Sequence, residues 1–177
     1  DHIHIYAADP ESTLRFYEDH FGAERLGTLP NASGTGNHFL ILGGQFLVVS
    51  TFPAGMGPRP TPEPGDGALR GGYGVAHFGL QTTDLEGMIA ALKKSGVEVH
   101  TDAPRGTGPI RYVYVSAPDG VVLELVELRL PAKLARLAPV FRGVNRAIHA
   151  TRRAFAKQLF AQPPTPTVQS TADRSAP

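Results

Sequence analysis

The chain contains no cysteine, which excludes disulfide bonds, a thiolate nucleophile and cysteine-ligated zinc sites. It also has no apolar run near the ~20 residues that a membrane-spanning helix needs. Acidic residues are scarce at one end, because after Glu127 only Asp173 is acidic, against nine Lys and Arg residues. The net charge of +1 therefore combines an acidic body with a basic C-terminal tail.

What the chain does contain is an internal repeat. His2 and His77 each begin a short apolar stretch, and Asp9 and Asp84 follow them at the same distance. The offset between the copies is 75 residues here and 76 between the Gly-led apolar runs at 44–49 and 120–125. The repeat indicates two copies of one supersecondary unit. A length of 177 residues with 41% hydrophobic content favours one compact core over two independent domains.

Each copy has the pattern of a strand, a helix and three further strands. Alternating apolar residues indicate the strands, Asp9 and Asp84 are N-caps, and Gly clusters mark the turns. We expect an α+β fold of two βαβββ modules, residues 1–52 and 73–128, joined by a Pro- and Gly-rich connector, residues 53–72. The expected strands are 2–7, 23–29, 38–42, 45–52, 75–82, 97–101, 110–116 and 121–128, with helices at 9–22 and 84–95.

The repeat places three metal-ligating residues at matching positions. His2 and His77 head the first strands of the modules, and Glu124 lies inside the last strand. Two imidazoles and one carboxylate with open positions form a ligand set typical of non-haem Fe(II). We predict a divalent metal at these residues, Fe(II) first, with Mn(II) or Zn(II) as alternatives. The competing interpretation is that both His residues are structural and Glu124 faces solvent on an edge strand.

Strand alternation adds two candidates near the predicted metal. His4 follows His2 by two residues and should point to the same side, where it would act as an acid or base. His38, in the second strand of the first module, could face the same side and contact substrate. For both, a surface position is the alternative.

These features resemble the vicinal oxygen chelate superfamily, which includes glyoxalases, extradiol dioxygenases, methylmalonyl-CoA epimerases and fosfomycin-resistance proteins. The resemblance covers residues 1–128 and implies a metal-binding cup formed by two curved sheets, with a substrate that carries two adjacent oxygens. It rests on the paired modules and on three motifs: Phe16-Tyr17 late in the first helix, Tyr114, and Pro118-Asp119-Gly120 followed by Glu124-Leu125.

Within that superfamily, glyoxalases and epimerases usually carry a fourth ligand or a base, a carboxylate or Gln, at the position that corresponds to Glu124 in the first module. This chain has Val48 there, or Val49 if the register slips by one, and neither can bind a metal. The resemblance therefore favours an Fe(II) extradiol-type dioxygenase, with a glyoxalase-like lyase or isomerase and a fosfomycin-type thiol transferase as alternatives. Extradiol enzymes place a catalytic Tyr at the position of Tyr114. They also place a His where this chain has Arg105.

Arg105 and Arg111 flank a Gly-rich loop and are predicted to bind an anionic substrate, with solvated surface positions as the alternative. The resemblance also leaves a different class open, because bleomycin-binding members hold a drug at a dimer groove without a metal triad. Retention of all three ligand residues favours the enzyme. We expect a small-molecule substrate and a homodimer, and no nucleic acid.

Residues 129–162 predict a basic amphipathic helix, kinked at Pro139 and Gly143. We expect its apolar stripe to pack on a second subunit or on the chain's own sheet, with the basic residues outward; contact with an anionic membrane surface is the alternative. Residues 163–177 are expected to be disordered. Because the chain begins at Asp1 without Met, a removed export signal is the alternative to the cytoplasmic location that we favour. The apolar stripe of the predicted C-terminal helix consists of Leu134, Leu137, Phe141, Val144, Ile148, Phe155 and Leu159.

Overall fold

The computed structural model describes residues 2–31, 34–53, 55–56, 75–101, 103–106, 109–129 and 137–161. The strands are β1 His2–Tyr6, β2 Glu24–Leu29, β3 Asn37–Leu42, β4 Gln45–Ser50, β5 Phe78–Thr82, β6 Ile110–Ser116 and β7 Val122–Leu128. The helices are α1 Pro10–Phe21, α2 Leu85–Lys94 and α3 Ala138–Ala161. One sheet has the order β1-β4-β3-β2 and the other β5-β7-β6, which confirms the predicted α+β class.

The first two helices begin and end where their capping residues predict. Asp9 accepts hydrogen bonds from the backbone N–H groups of Glu11 and Ser12, and Asp84 accepts one from Gly87. Gly22 closes α1 with φ 66°, a left-handed conformation that glycine adopts without steric cost. Local sequence signals are therefore sufficient to bound these elements.

Both modules contribute to one hydrophobic core. Leu14 and Tyr17 of α1 pack in the same cluster as Val49 of the first sheet and Leu125 of the second. Asp119, in the turn before β7, accepts hydrogen bonds of 2.9 Å from the Ala8 backbone N–H and of 2.9 Å from the Thr13 hydroxyl. The core thus lies on the helix-covered face of both sheets, and the opposite faces are left for other uses.

Four expected features differ from the structure or lie outside the described residues. The expected strand at residues 97–101 forms only an isolated bridge between Val99 and Val115. The turn at Pro118–Gly120 is a 3-10 turn in which Asp119 has φ 60°. Residues 57–74, which include most of the connector, and the tail from residue 162 lie outside the described residues.

The C-terminal helix packs on the first sheet of its own chain. Ala156 is fully buried, and the Phe160 ring lies 4.9 Å from that of Phe39. Gly27 allows this approach, since a Cβ there would come within 2.9 Å of Phe160. Glu24 on β2 anchors the helix further. Its carboxylate pairs with Arg153 and, at 2.7 Å, with Lys157.

This docking confirms the helix but corrects its expected orientation. The expected stripe is exposed at Leu137, Val144, Ile148, Phe155 and Leu159, while Ala156 and Phe160 face the sheet. Pro139 is the second residue of α3, where a missing N–H costs no helical hydrogen bond, and the helix continues without a break to Ala161. Leu134 and the Phe141 side chain lie outside the described residues. Among the residues described, no helix has the length and apolar character to cross a membrane.

Candidate functional site

The second sheet presents a polar row on the face opposite the core. Gly79 on β5 pairs with Glu124 on β7, which in turn pairs with Tyr114 on β6. Paired residues share a face, and here the flanking Leu123 and Leu125 point into the core. Glu124 and Tyr114 therefore point away from the core, as strand alternation predicts.

His77 and Glu124 form the centre of this site. His77 Nε2 lies 3.5 Å from Glu124 Oε2, and their side chains are 33% and 22% exposed. Two donors bound to one metal are about 3 to 3.5 Å apart, given metal bonds of about 2.0 to 2.2 Å. The observed separation therefore fits two ligands of one ion.

Tyr114 lies beside this pair. Its ring centroid is 5.1 Å from that of His77 and 5.5 Å from that of Tyr112. Burial, followed by the negative charge of Glu124, raises the pKa of Tyr114, so its phenol stays protonated at neutral pH. Tyr112 was not among the predicted site residues, although its two-residue spacing from Tyr114 indicates that it shares this face.

The first sheet contributes two imidazoles to a neighbouring cavity. A cavity of about 740 Å³ is lined by His2 and His4 of β1 and by His77. His4 Nε2 lies 2.9 Å from the Ser50 hydroxyl, which also donates to the Thr51 carbonyl at 3.2 Å. Burial, followed by the charge of His2, lowers the pKa of His4.

The third predicted metal ligand does not join the other two within one chain. Among the described residues, no three His, Asp or Glu side chains converge closely enough to hold a metal ion. His2 lines the same cavity as His77, but the pair of His77 and Glu124 is the part of the predicted triad that this chain assembles by itself.

Of the two arginines predicted to bind substrate, Arg105 lies near the site and Arg111 does not. Arg105 pairs through its backbone with Tyr112, and its charge acts to lower the pKa of Tyr114, so it lies near the site. Arg111 instead forms ion pairs with Glu86 and, at 3.1 Å, with Glu127. Arg111 is two residues before the buried Val113 and therefore shares its core-facing side of β6. The prediction that Arg111 binds substrate is thereby corrected.

His38 is also on the other face of its sheet. It pairs across the strands with Val49, which is fully buried in the core, and its Nδ1 lies 2.9 Å from the Thr28 hydroxyl. The expectation that His38 faces the substrate is therefore corrected. His4, by contrast, lies on the open face, as predicted.

Comparison with known proteins agrees with this architecture. Residues 1–125 match the family described as the Glyoxalase/Bleomycin resistance protein/Dioxygenase superfamily. A provisionally named lactoylglutathione lyase from Brassica oleracea var. gemmifera is 25% identical over 170 residues. That match covers 90% of this chain, but the chain spans only 55% of the length of that curated relative.

Two solved structures show the same fold. TnmS3, an antibiotic binding protein from Streptomyces sp. CB03234, is 27% identical with a TM-score of 0.52, over 71% of this chain and 92% of its own. The fosfomycin resistance protein FosX from Listeria monocytogenes is 21% identical with a TM-score of 0.53, over 73% of this chain and 93% of its own. Another FosX structure, 20% identical with a TM-score of 0.51, is complexed with Mn(II) and sulfate and covers 76% of this chain and 95% of its own.

Proposed function

Because the chain belongs to the glyoxalase, bleomycin resistance protein and dioxygenase superfamily, we propose that it is a divalent-metal-dependent enzyme acting on a small substrate with two vicinal oxygens. The observation that supports the proposal most is the 3.5 Å separation of His77 Nε2 and Glu124 Oε2 on the open face of the second sheet. A bound metal ion would polarise the substrate oxygens as a Lewis acid.

The chain's own residues supply the remaining functions. Tyr114 keeps its proton because its pKa is raised, so it can donate a hydrogen bond to a substrate oxygen beside His77. Arg105 adds a positive charge near Tyr114 and suits an anionic group of the substrate. His4, with its lowered pKa, is neutral at pH 7 and can accept a proton on the first-sheet wall of the cavity.

We propose that His2 completes the ligand set from a second copy of the chain. His2 and His77 are equivalent in the repeat, yet one chain does not group them with Glu124. Strands β1 and β5 lie at the ends of their sheets. A two-fold dimer that sets β1 of one copy beside β5 of the other would therefore bring His2 to the pair.

Mixing two variants tests both parts of this proposal. His2→Ala and His77→Ala should each lose the metal, as measured by titration calorimetry with Mn(II) and anaerobic Fe(II). In a mixed dimer, one site would carry both substitutions and the other would be intact. Random reassociation makes about half of the dimers mixed, and each has one intact site of two, so co-refolded variants should regain about a quarter of the wild-type stoichiometry. A mixture that binds no metal would refute the intermolecular ligand, and full binding by His77→Ala would refute the metal site.

The reaction itself has two candidates within this chemistry. An Fe(II) extradiol-type dioxygenase is supported by Tyr114 beside His77, at the position where the resemblance implies a catalytic Tyr. Lewis-acid chemistry of the lyase or thiol-transferase type is supported by Arg105 in place of the His of extradiol enzymes. Oxygen uptake on addition of catechols to the anaerobically Fe(II)-loaded protein would favour the first, and its absence the second.

A non-catalytic drug-binding protein is the second candidate function. The likeness to an antibiotic binding protein and the apolar part of the cavity, with Tyr6, Phe52 and Phe78 on its walls, favour it. Such a protein would bind planar aromatic compounds equally well with and without metal. Fluorescence titration of the metal-free protein and of His77→Ala with the same compounds separates this candidate from the enzyme.

A further inference from the structure

The outer side of α3 carries an apolar stripe that nothing in the described chain covers. Its six large side chains are between 41% and 62% exposed. They recur at steps of three, four and seven residues and so lie on one side of the helix. Contiguous apolar patches beyond a few hundred Å² are rare on monomeric proteins and mark interaction surfaces. The stripe consists of Leu137, Val140, Val144, Ile148, Phe155 and Leu159.

The helix is held firmly enough to present this stripe as a fixed surface. Phe160 packs on Phe39 and Gly27, and Glu24 pairs with Arg153 and Lys157. His149 lies against Gly44, where a Cβ would collide with its ring. Because these contacts fix the opposite side of α3, the stripe must face outward.

The positions of the cations argue against a lipid surface as the occupant. A helix that binds an anionic membrane carries its Lys and Arg residues where they can reach the headgroups. In α3, four of the five cations turn toward the chain itself, and Arg142 is exposed. Arg153 and Lys157 pair with Glu24, Arg146 lines a crevice with Gly44, and Arg152 donates to the Gly44 carbonyl at 3.5 Å. Arg152 borders the stripe, because it follows Ile148 by one helical turn, but its guanidinium donates to Gly44. The six members of the stripe are all apolar, as the centre of a protein interface is.

The place of α3 on the sheet indicates which protein surface is the partner. Gly27, Phe39, Val48 and His4 follow one another across β2, β3, β4 and β1 in register. Phe160 covers the Gly27 end of this row, and the His4 end lines the cavity. The helix and the histidines of β1 therefore share one face of the first sheet. A second copy that approaches His2 also approaches α3.

We propose that the apolar stripe of α3 is buried against a second copy of this chain and forms part of the dimer interface. The inference rests on the proposed function, because it identifies a further contact of the dimer that is proposed to complete the metal site. It concerns a helix that lies beyond residue 125, where the match to the family ends.

Thiol labelling tests the burial directly, because a chain without cysteine gives no background. Val144→Cys places the thiol on the stripe, and Ala154→Cys places it on an exposed side of α3 off the stripe. With the concentrated protein, labelling of Val144→Cys should be at least about tenfold slower than that of Ala154→Cys, and dilution should abolish the difference. Equal rates at every concentration would overturn the proposal. Protection that appears only with phosphatidylserine vesicles would also overturn it, in favour of lipid.

Sedimentation velocity provides the second measurement. Ile148→Asp should raise the concentration at which the dimer dissociates by at least about tenfold, whereas Ala154→Asp should leave it unchanged. Circular dichroism at low concentration checks that both variants are folded. An unchanged dissociation of Ile148→Asp would overturn the proposal. A protected Val144→Cys thiol together with failed complementation of the His2 and His77 variants would leave this interface standing and reject the intermolecular metal site.

Discussion

The central rows of the two sheets are equivalent in the repeat and opposite in character. In the first sheet the middle position is Val48, which is 3% exposed. In the second sheet it is Glu124, whose side chain is 22% exposed and contacts His77. Repeat-related positions thus form a mainly apolar row on which α3 packs and a polar row whose side chains can bind a metal or a substrate. The rows are His4, Val48 and Phe39 in the first module, and Gly79, Glu124 and Tyr114 in the second.

The neighbours of each central residue explain the difference. Phe39 gives Phe160 of α3 an aromatic surface to pack on, whereas its counterpart Tyr114 brings a phenol to the carboxylate. Gly79 has no side chain and leaves the space before Glu124 open. A Cβ there would lie 3.8 Å from the Glu124 carboxylate. The first module therefore covers the β2 and β3 end of its open face with α3, and the second module keeps its face accessible. The comparison teaches that a functional site here depends on leaving a sheet face uncovered.

Placing a carboxylate in the closed row should have the largest effect on stability. Val48→Glu would bury a charge without a partner and should lower the free energy of unfolding by roughly 3 kcal/mol or more at pH 7. Urea denaturation followed by circular dichroism measures this. Val126→Glu is the matched control, because Val126 lies on the accessible face of β7 and is only partly buried. Equal losses in both variants would show that the two rows do not differ in accessibility.

The converse exchange should remove function while preserving the fold. Glu124→Val gives the second row the residue of the first, and it should weaken metal binding by at least about 100-fold, since even outer-shell changes cost 10- to 100-fold. The free energy of unfolding should change by less than about 1 kcal/mol, because an apolar residue replaces a half-buried charge. Titration calorimetry with Mn(II) and thermal unfolding provide both values. Glu98→Gln, which removes an exposed carboxylate of the same module, should retain full affinity.

The two modules could be predicted from the sequence because their signals are local. Asp9 and Gly22 bound α1 through their own backbone conformations, and the 75-residue offset relates His2 to His77 without any tertiary information. Tyr114 and Glu124 pair directly across the hairpin that turns at Asp119, so their shared face follows from strand alternation within that hairpin. Positions that depend on two-residue periodicity within one hairpin were therefore readable from the sequence.

The sequence does not show in this way which sheet face a residue of β3 occupies or which side of α3 docks on the sheet. Strand β3 is apolar on both sides, with Phe39 and Ile41 on one and Leu40 and Leu42 on the other, so its sequence does not show which face His38 shares. The side of α3 that docks is decided by distant residues of β2. In the proposed dimer, completion of the metal site would depend on how two copies approach each other, which no local pattern encodes.

Removing the aromatic anchor of α3 should uncover the closed row. Phe160→Ala loses the contacts with Phe39 and Gly27 and should weaken docking of the helix by about 1 to 2 kcal/mol, less than for a fully buried Phe. Hydrogen exchange of α3 in dilute monomeric protein measures the local opening. Phe155→Ala is the control, because Phe155 is 62% exposed and takes no part in docking. Faster exchange in Phe155→Ala than in Phe160→Ala would show that α3 docks through a different face.

The smallest expected effect concerns the phenol of the polar row at alkaline pH. Burial and the charge of Glu124 raise the pKa of Tyr114 above its ordinary value of 10.0. The unfolded chain loses this proton first, so the contribution of Tyr114 to stability is complete below pH 10 and declines as the pH rises through the folded pKa. Wild-type protein should therefore lose stability more steeply above pH 10 than Tyr114→Phe does. The difference between their absorbance titrations at ~295 nm isolates this tyrosine, whose ionisation should occur above the ordinary range. Glu124→Gln removes the charge but leaves the burial, and it should move the midpoint part of the way back. A midpoint in the ordinary range for wild-type protein would mean that Tyr114 is solvated and does not share the site with Glu124.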